Sequence, residues 1–224
     1  MSDLHGDRTK PVVINTNQMD WTASPSPGVW RKRLELVGDA EKGMVTSIVR
    51  FDPGAGFTLH DHPTGEEVLV LDGTFADEHD TYPTGTWTLL PDNTPHAPKT
   101  AEGCTLFVKL CQYPGEGLPS LRKDVPFGEK WPETMPGREQ FDLRVYPGNP
   151  EEIYISRLAP GTQTPHHVHR GGEEVYVISG ELRDHEGRYG AGSWMRFPDG
   201  SSHAPWTETG CTLYVKRGHM EQSA

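Results

Sequence analysis

The chain has 224 residues, 25 of them glycine and 20 proline, and a formal net charge of −11. With a pI near 5.4, it lacks the basic surface that nucleic acid or an anionic membrane would require. No stretch of about 18 apolar residues is present, so no membrane-spanning helix is expected; long helical periodicity is also missing, which leaves short strands joined by turns.

Along the chain, residues 1–7 contain no apolar core of the kind a secretory leader needs, so none is expected. Residues 46–50 read as a strand closed by the turn Pro53-Gly54. Residues 67–71 read as a second, ending at a hairpin-type turn at Asp72-Gly73. The polar residues 77–80 form a hairpin tip. Residues 86–90 make a strand stopped by Pro91, and residues 104–108 another that follows Gly103. In residues 68–71 and 175–178 both strand faces are apolar, so both faces should be covered. From about Gln112 to Gly137 the prolines Pro114, Pro119, Pro126, Pro132 and Pro136 oppose helix and central strand. That stretch is expected to be a surface linker pinned by Phe127 and Trp131. The cysteines Cys104, Cys111 and Cys211 are odd in number and form no CxxC pair, which suits free thiols in a reducing cytoplasm.

The chain writes one ligand pattern twice. His60, His62, Glu66 and His96 recur as His167, His169, Glu173 and His203, each 107 positions later, and residues 66–109 match residues 173–216 at 21 of 44 positions. The repeat can be followed back to Arg50 and Arg157. It divides the chain into an N-terminal domain (1–111), a linker (112–137) and a C-terminal domain (138–224). Side chains at i and i+2 of a strand share a face, so each His-x-His pair can converge on one ion. The glutamate opens the next strand, and the last histidine follows 30 residues later in both halves. Three neutral imidazoles and a carboxylate suit zinc, iron, manganese, nickel or copper rather than calcium or magnesium. Histidines satisfied singly in turns are the competing explanation, and the matched spacing of six out of eleven histidines argues against it. His5, His79, His166, His185 and His219 are left with surface or structural roles.

These residues resemble the cupin motifs. Residues 54–73 and 161–180 fit the first, with its two histidines, glutamate and closing glycine. Gly85, Pro91 and His96, with Gly192, Pro198, Gly200 and His203, fit the start of the second; Asn93 replaces a glycine there. The resemblance implies an all-β chain of two tandem double-stranded jelly-roll barrels. More narrowly, both halves resemble the cupin domain of ChrR-type proteins, which implies one divalent metal per domain, zinc first, with iron, manganese or nickel compatible. In that family the cupin follows an anti-sigma domain; no counterpart of that domain is present here, so sigma-factor binding is not expected.

Three functions fit this pattern. The first is a metal-dependent enzyme, such as a dioxygenase-like oxidoreductase, acting on an oxygenated small molecule. The second is a non-catalytic zinc-binding sensor linked to an extracytoplasmic-function (ECF) sigma-factor stress response. The third is a structural metal staple. Acid–base residues cannot be chosen from the sequence; Tyr82 and Tyr189 are candidates, with hairpin stabilisation as their alternative role. Trp87 and Trp194 are candidates for lining a cavity or an interface, with core packing as the default. The halves are expected to pack as a pseudo-twofold pair, and a homodimer is compatible.

Overall fold

The computed structural model describes residues 3–39, 42–92, 94–112, 119–145 and 151–220; Asn93 and Pro114 lie outside them. Among these residues the regular elements are β-strands apart from a single 3-10 turn, Thr16–Gln18. No helix is long and apolar enough to cross a membrane. The chain forms two compact units. Unit one comprises Met1–Gly6 and Met19–Phe127, and unit two comprises Asp7–Gln18 and Gly128–Ala224. This differs from the expected division in two places: residues 7–18 belong with the second repeat, and the proline-rich stretch is shared between the units at Phe127.

In unit one an antiparallel sheet runs in the order Thr22–Ala23, Val29–Val37, Met44–Phe51, Cys104–Leu110, Glu66–Ala76, Thr86–Leu90, Leu121–Asp124. Unit two repeats it as Glu133–Met135, Arg138–Val145, Glu152–Leu158, Cys211–Arg217, Glu173–Arg183, Ser193–Phe197, Val12–Asn15. One strand face supplies the barrel interior: Val49, Phe51, Val68, Val70, Leu106 and Val108 form one buried cluster. The opposite face, with Ile48, Leu69, Trp87 and Phe107, is buried as well, as the doubly apolar strands require. Trp87 and Trp194 are fully buried, and their indole N–H groups donate to Glu67 Oε1 (2.9 Å) and Glu174 Oε1 (2.7 Å).

The turn expected at Asp72-Gly73 does not end its strand. Glu66–Ala76 continues through it: the first half pairs with the main sheet, and Thr74–Ala76 then pairs with Thr81–Pro83. A register shift between Val70 and Asp72 makes the corner. Gly73 (φ 77°) sits at that corner, and a Cβ there would lie 2.2 Å from Gly103 O; Gly180 (φ 76°) would meet Gly210 O at 2.1 Å. Only glycine fits such a close backbone approach in the left-handed region.

The proline-rich stretch is not devoid of strand. Leu121–Asp124 and Glu133–Met135 both lie at sheet edges, where a proline-rich neighbourhood costs no ladder bonds. Trp131 is buried as expected, under Arg157 (3.9 Å from Cζ to the ring centre) and beside Phe141. Phe127 packs against Gly85. Leu121–Asp124 pairs with Thr86–Leu90, and Val12–Asn15 pairs with Ser193–Phe197. Each unit therefore takes an edge strand from the segment that precedes the other unit's repeat.

Candidate metal centres

In unit two the short strands His167–Val168 and Ser202–His203 pair so that His167 lies opposite His203. Glu173 opens the adjacent long strand. Ligand atoms of His167, His169, Glu173 and His203 all lie within 4.8 Å of one another. Donors on one ion at about 2.0–2.2 Å stand within roughly 4.4 Å of each other, so small side-chain adjustments would close the set. His166 points elsewhere, to Ser202 Oγ at 3.2 Å.

Each imidazole is anchored through Nδ1. His167 Nδ1 reaches Pro165 O (3.0 Å), His169 Nδ1 reaches Ser201 Oγ (2.9 Å) and His203 Nδ1 reaches Asp184 Oδ2 (3.1 Å). The Nε2 atoms are left for the shared centre. Among the described residues, those of His169 and His203 are buried without a hydrogen-bond partner, and the nearest Glu173 oxygen is 3.6 and 3.8 Å away. Buried polar atoms without partners cost about 1–3 kcal/mol each. An ion at the centre would satisfy both, so the residues fit a divalent metal. Burial, and then the neighbouring His203 and His167, push the His169 imidazole down to about 3. Burial likewise lowers His203 against the pull of Asp184, and raises Glu173. The imidazoles of His169 and His203 are therefore held in the neutral form that a metal requires.

Unit one differs in detail. His60, His62 and His96 meet the same 4.8 Å criterion without Glu66. His60 Nδ1 is anchored on Thr58 O (2.8 Å), and its Nε2 is 3.1 Å from His62 Nε2. Glu66 Oε2 lies 3.1 Å from His96 Nε2. That contact offsets the burial of both groups, holding the carboxyl below its usual range and raising His96. The structure thus gathers all four expected ligand residues in unit two and three in unit one, where Glu66 is tied to one of them. His62 is lowered chiefly by burial.

Two supporting residues escape a reading of spacing alone. Asp184 accepts the Tyr189 hydroxyl (2.8 Å) while holding His203, and Asp77 accepts Tyr82 (3.1 Å) and lies 3.8 Å from His96 Nδ1. Their membership of the same repeat (184−77 is 107) was the available signal. Both tyrosines are raised by burial and by these carboxylates; they brace the hairpins rather than face the ion ligands. His79 and His185 are exposed at the hairpin tips, His5 binds Leu34 O, and His219 is buried near Glu174.

Both centres open on a cavity. That of unit one has a volume of about 770 Å³ and is lined by His60, His62 and Glu66 with mostly apolar neighbours; that of unit two, lined by His167, Glu173 and His203, is about 280 Å³.

Two jelly-roll barrels, each with a histidine–carboxylate cluster at its mouth, define a bicupin. The chain belongs to the ChrR cupin-like domain family, whose model matches residues 9–114 and 128–221. No curated protein sequence matches. Among solved structures, a glyoxylate-induced protein candidate from Pseudomonas aeruginosa aligns with a TM-score of 0.74 at 15% identity, covering 100% of this chain and 94% of that one. A candidate dioxygenase from Nostoc punctiforme gives 0.73 at 14%, covering 96% and 85%. A Bacillus subtilis oxalate decarboxylase variant gives 0.67 at 15%, covering 96% and 78%. At these identities the likeness is one of fold.

Proposed function

We propose that this bicupin is a metal-dependent enzyme that holds one divalent ion per unit and acts on an oxygenated small molecule, with dioxygenase-like oxidoreductase chemistry as the leading form. The observation that carries this reading is the unit-two geometry: three imidazoles anchored through Nδ1, with two buried Nε2 atoms left unpartnered around one centre. His60, His62, Glu66 and His96 would hold the ion of unit one, and His167, His169, Glu173 and His203 that of unit two. Zinc is the metal that the family resemblance puts first; the dioxygenase-like form would need a redox-active ion, for which iron, manganese or nickel is compatible. A bound ion supplies Lewis-acid or redox chemistry. The protein's own part is to orient the imidazoles through Thr58, Pro165, Ser201 and Asp184, and to offer the substrate an enclosed apolar wall. An open face on the ion set also distinguishes it from the cysteine-rich sets of structural zinc sites. The names of the candidate dioxygenase and the oxalate decarboxylase lend support by analogy of fold alone.

Elemental analysis of the purified protein tests the ion assignment: about two equivalents per chain are expected, with His62→Ala and His169→Ala each losing one. Unchanged content in both variants would refute it. Oxygen uptake on a panel of β-diketones, hydroxyaryl ketones and 2-oxo acids then tests the activity. Firmly bound zinc with no turnover on any of them would favour the sensor role instead.

A further inference from the structure

The two cavities occupy the same place in two copies of one fold, yet one is nearly three times the other (about 770 against 280 Å³). The register locates the cause. Counting down the barrel wall from the metal-site glutamate, Glu66 shares its level with Leu110 and Val45, and Glu173 with Arg217 and Glu152. On the next level Val68, Val108 and Ser47 stand where unit two has Val175, Val215 and Tyr154. Three inward positions therefore change between the repeats: Val45 to Glu152, Ser47 to Tyr154 and Leu110 to Arg217.

Of these, Tyr154 and Arg217 line the smaller cavity, Tyr154 buried and Arg217 half exposed. The Tyr154 ring has Arg138 and Arg217 as neighbours, their Cζ atoms 5.5 and 5.7 Å from its centre. Its hydroxyl meets Arg138 at 3.2 Å, Arg138 also donates to Ser156 Oγ at 3.0 Å, and Arg217 Nε donates to Glu152 at 2.7 Å. A buried ring with two guanidinium neighbours and a bonded hydroxyl does not swing aside cheaply. In unit one the corresponding volume is open and walled by apolar side chains, with few polar points. Ser47 is buried, and its Oγ lacks a hydrogen-bond partner among the described residues. Arg31 lines the same cavity with its guanidinium 5.8 Å from the centre of the Phe57 ring, which in turn is 5.4 Å from that of His60. A fixed positive charge thus stands one ring away from the histidine cluster.

We infer that unit one is the ligand chamber and takes a carboxylate with an apolar body, its charge beside Arg31 and a polar group within reach of Ser47, whereas Tyr154 restricts unit two to very small ligands. A cavity of about 770 Å³ lies within the usual range of roughly 300–1,000 Å³ for small-molecule sites, and one of about 280 Å³ falls below it. The inference rests on the proposed function only for placing the carboxylate next to an ion; the division between the units stands on wall geometry.

Titration calorimetry of the metal-loaded, full-length protein with 3-phenylpropionate, 3-phenylpropan-1-ol and acetate tests it. One molecule of 3-phenylpropionate per chain is expected, with the alcohol roughly tenfold or more weaker because it lacks the charge-assisted bonds, and acetate, which lacks the apolar body, undetectable at the site that Ser47→Tyr closes. Ser47→Tyr should abolish binding while leaving metal content and melting temperature unchanged. Arg31→Gln, which removes the charge but keeps a polar side chain, should weaken the acid roughly tenfold while moving the alcohol far less. Two sites per chain, equal affinity for acid and alcohol, no binding of the acid, or binding that survives Ser47→Tyr would each overturn the inference. Loss of binding in Ser47→Tyr accompanied by unfolding leaves the decision to Arg31→Gln, where unchanged acid affinity overturns it. Two metal equivalents with no bound acid would sink the chamber and spare the ion assignment. No metal with binding that Ser47→Tyr abolishes would do the reverse.

Discussion

The last histidine of unit two is held by a carboxylate, and that carboxylate by a phenol. In unit two the chain Tyr189–Asp184–His203 is closed by contacts of 2.8 and 3.1 Å; in unit one the matching Asp77 stands 3.8 Å from His96, because Glu66 draws that imidazole toward itself. An outer carboxylate of this kind fixes the tautomer and orientation of a ligating imidazole. Asp184→Asn is accordingly expected to weaken the unit-two metal about 10- to 100-fold in competition with a chelator, leaving the unit-one ion in place. Equal loss from both units would contradict a local positioning role. The clustering of the histidines was legible in the sequence because imidazoles are scarce and their spacing recurs. The aspartates were not: they sit in a polar hairpin of residues that solvent alone would explain. The Ser47/Tyr154 exchange escaped for another reason, since nothing in the sequence says which face of its strand looks inward.

At the level of elements, the repeat keeps its register where the strands are locked together and loses it elsewhere. Val49 and Ser156 are 107 positions apart, but their partners Arg31 and Gln140 are 109 apart (140−31). Two extra residues between those strands are why the repeat fades before Arg50 when sequences alone are compared. The corner in Glu66–Ala76 was hidden for a related reason: Asp-Gly usually marks a hairpin, whereas here the glycine lets one strand pass from the main sheet to its next partner. Gly180→Ala places a Cβ 2.1 Å from Gly210 O at φ 76°. Chemical denaturation should show a loss of about 2–4 kcal/mol, and a change below about 0.5 kcal/mol would mean that the corner relaxes without cost.

For the whole molecule, acid is the expected weakness. Glu151 is buried and bonded to Arg144 (2.7 Å) and Lys216 (3.1 Å), both fully buried. Burial works to raise its carboxyl, but the two cations outweigh it and hold the group below the unfolded value of 4.5. A carboxyl depressed in the folded state stabilises above its unfolded pKa, and that stability is lost as pH falls through the folded one. The melting temperature should therefore drop as the pH is lowered below about 4.5. Glu151→Ala should remove about 3–5 kcal/mol near pH 7, because two buried cations lose their partner, and should flatten the acid limb of the profile. A variant with the same acid limb as the parent would show that other groups control it. The exchanged edge strands carry a practical consequence. A lobe excised at the apparent gene-duplication boundary would be born with a raw β-edge, prone to oligomerise; a soluble C-terminal lobe has to be a splice, with residues 7–18 tethered to residue 128.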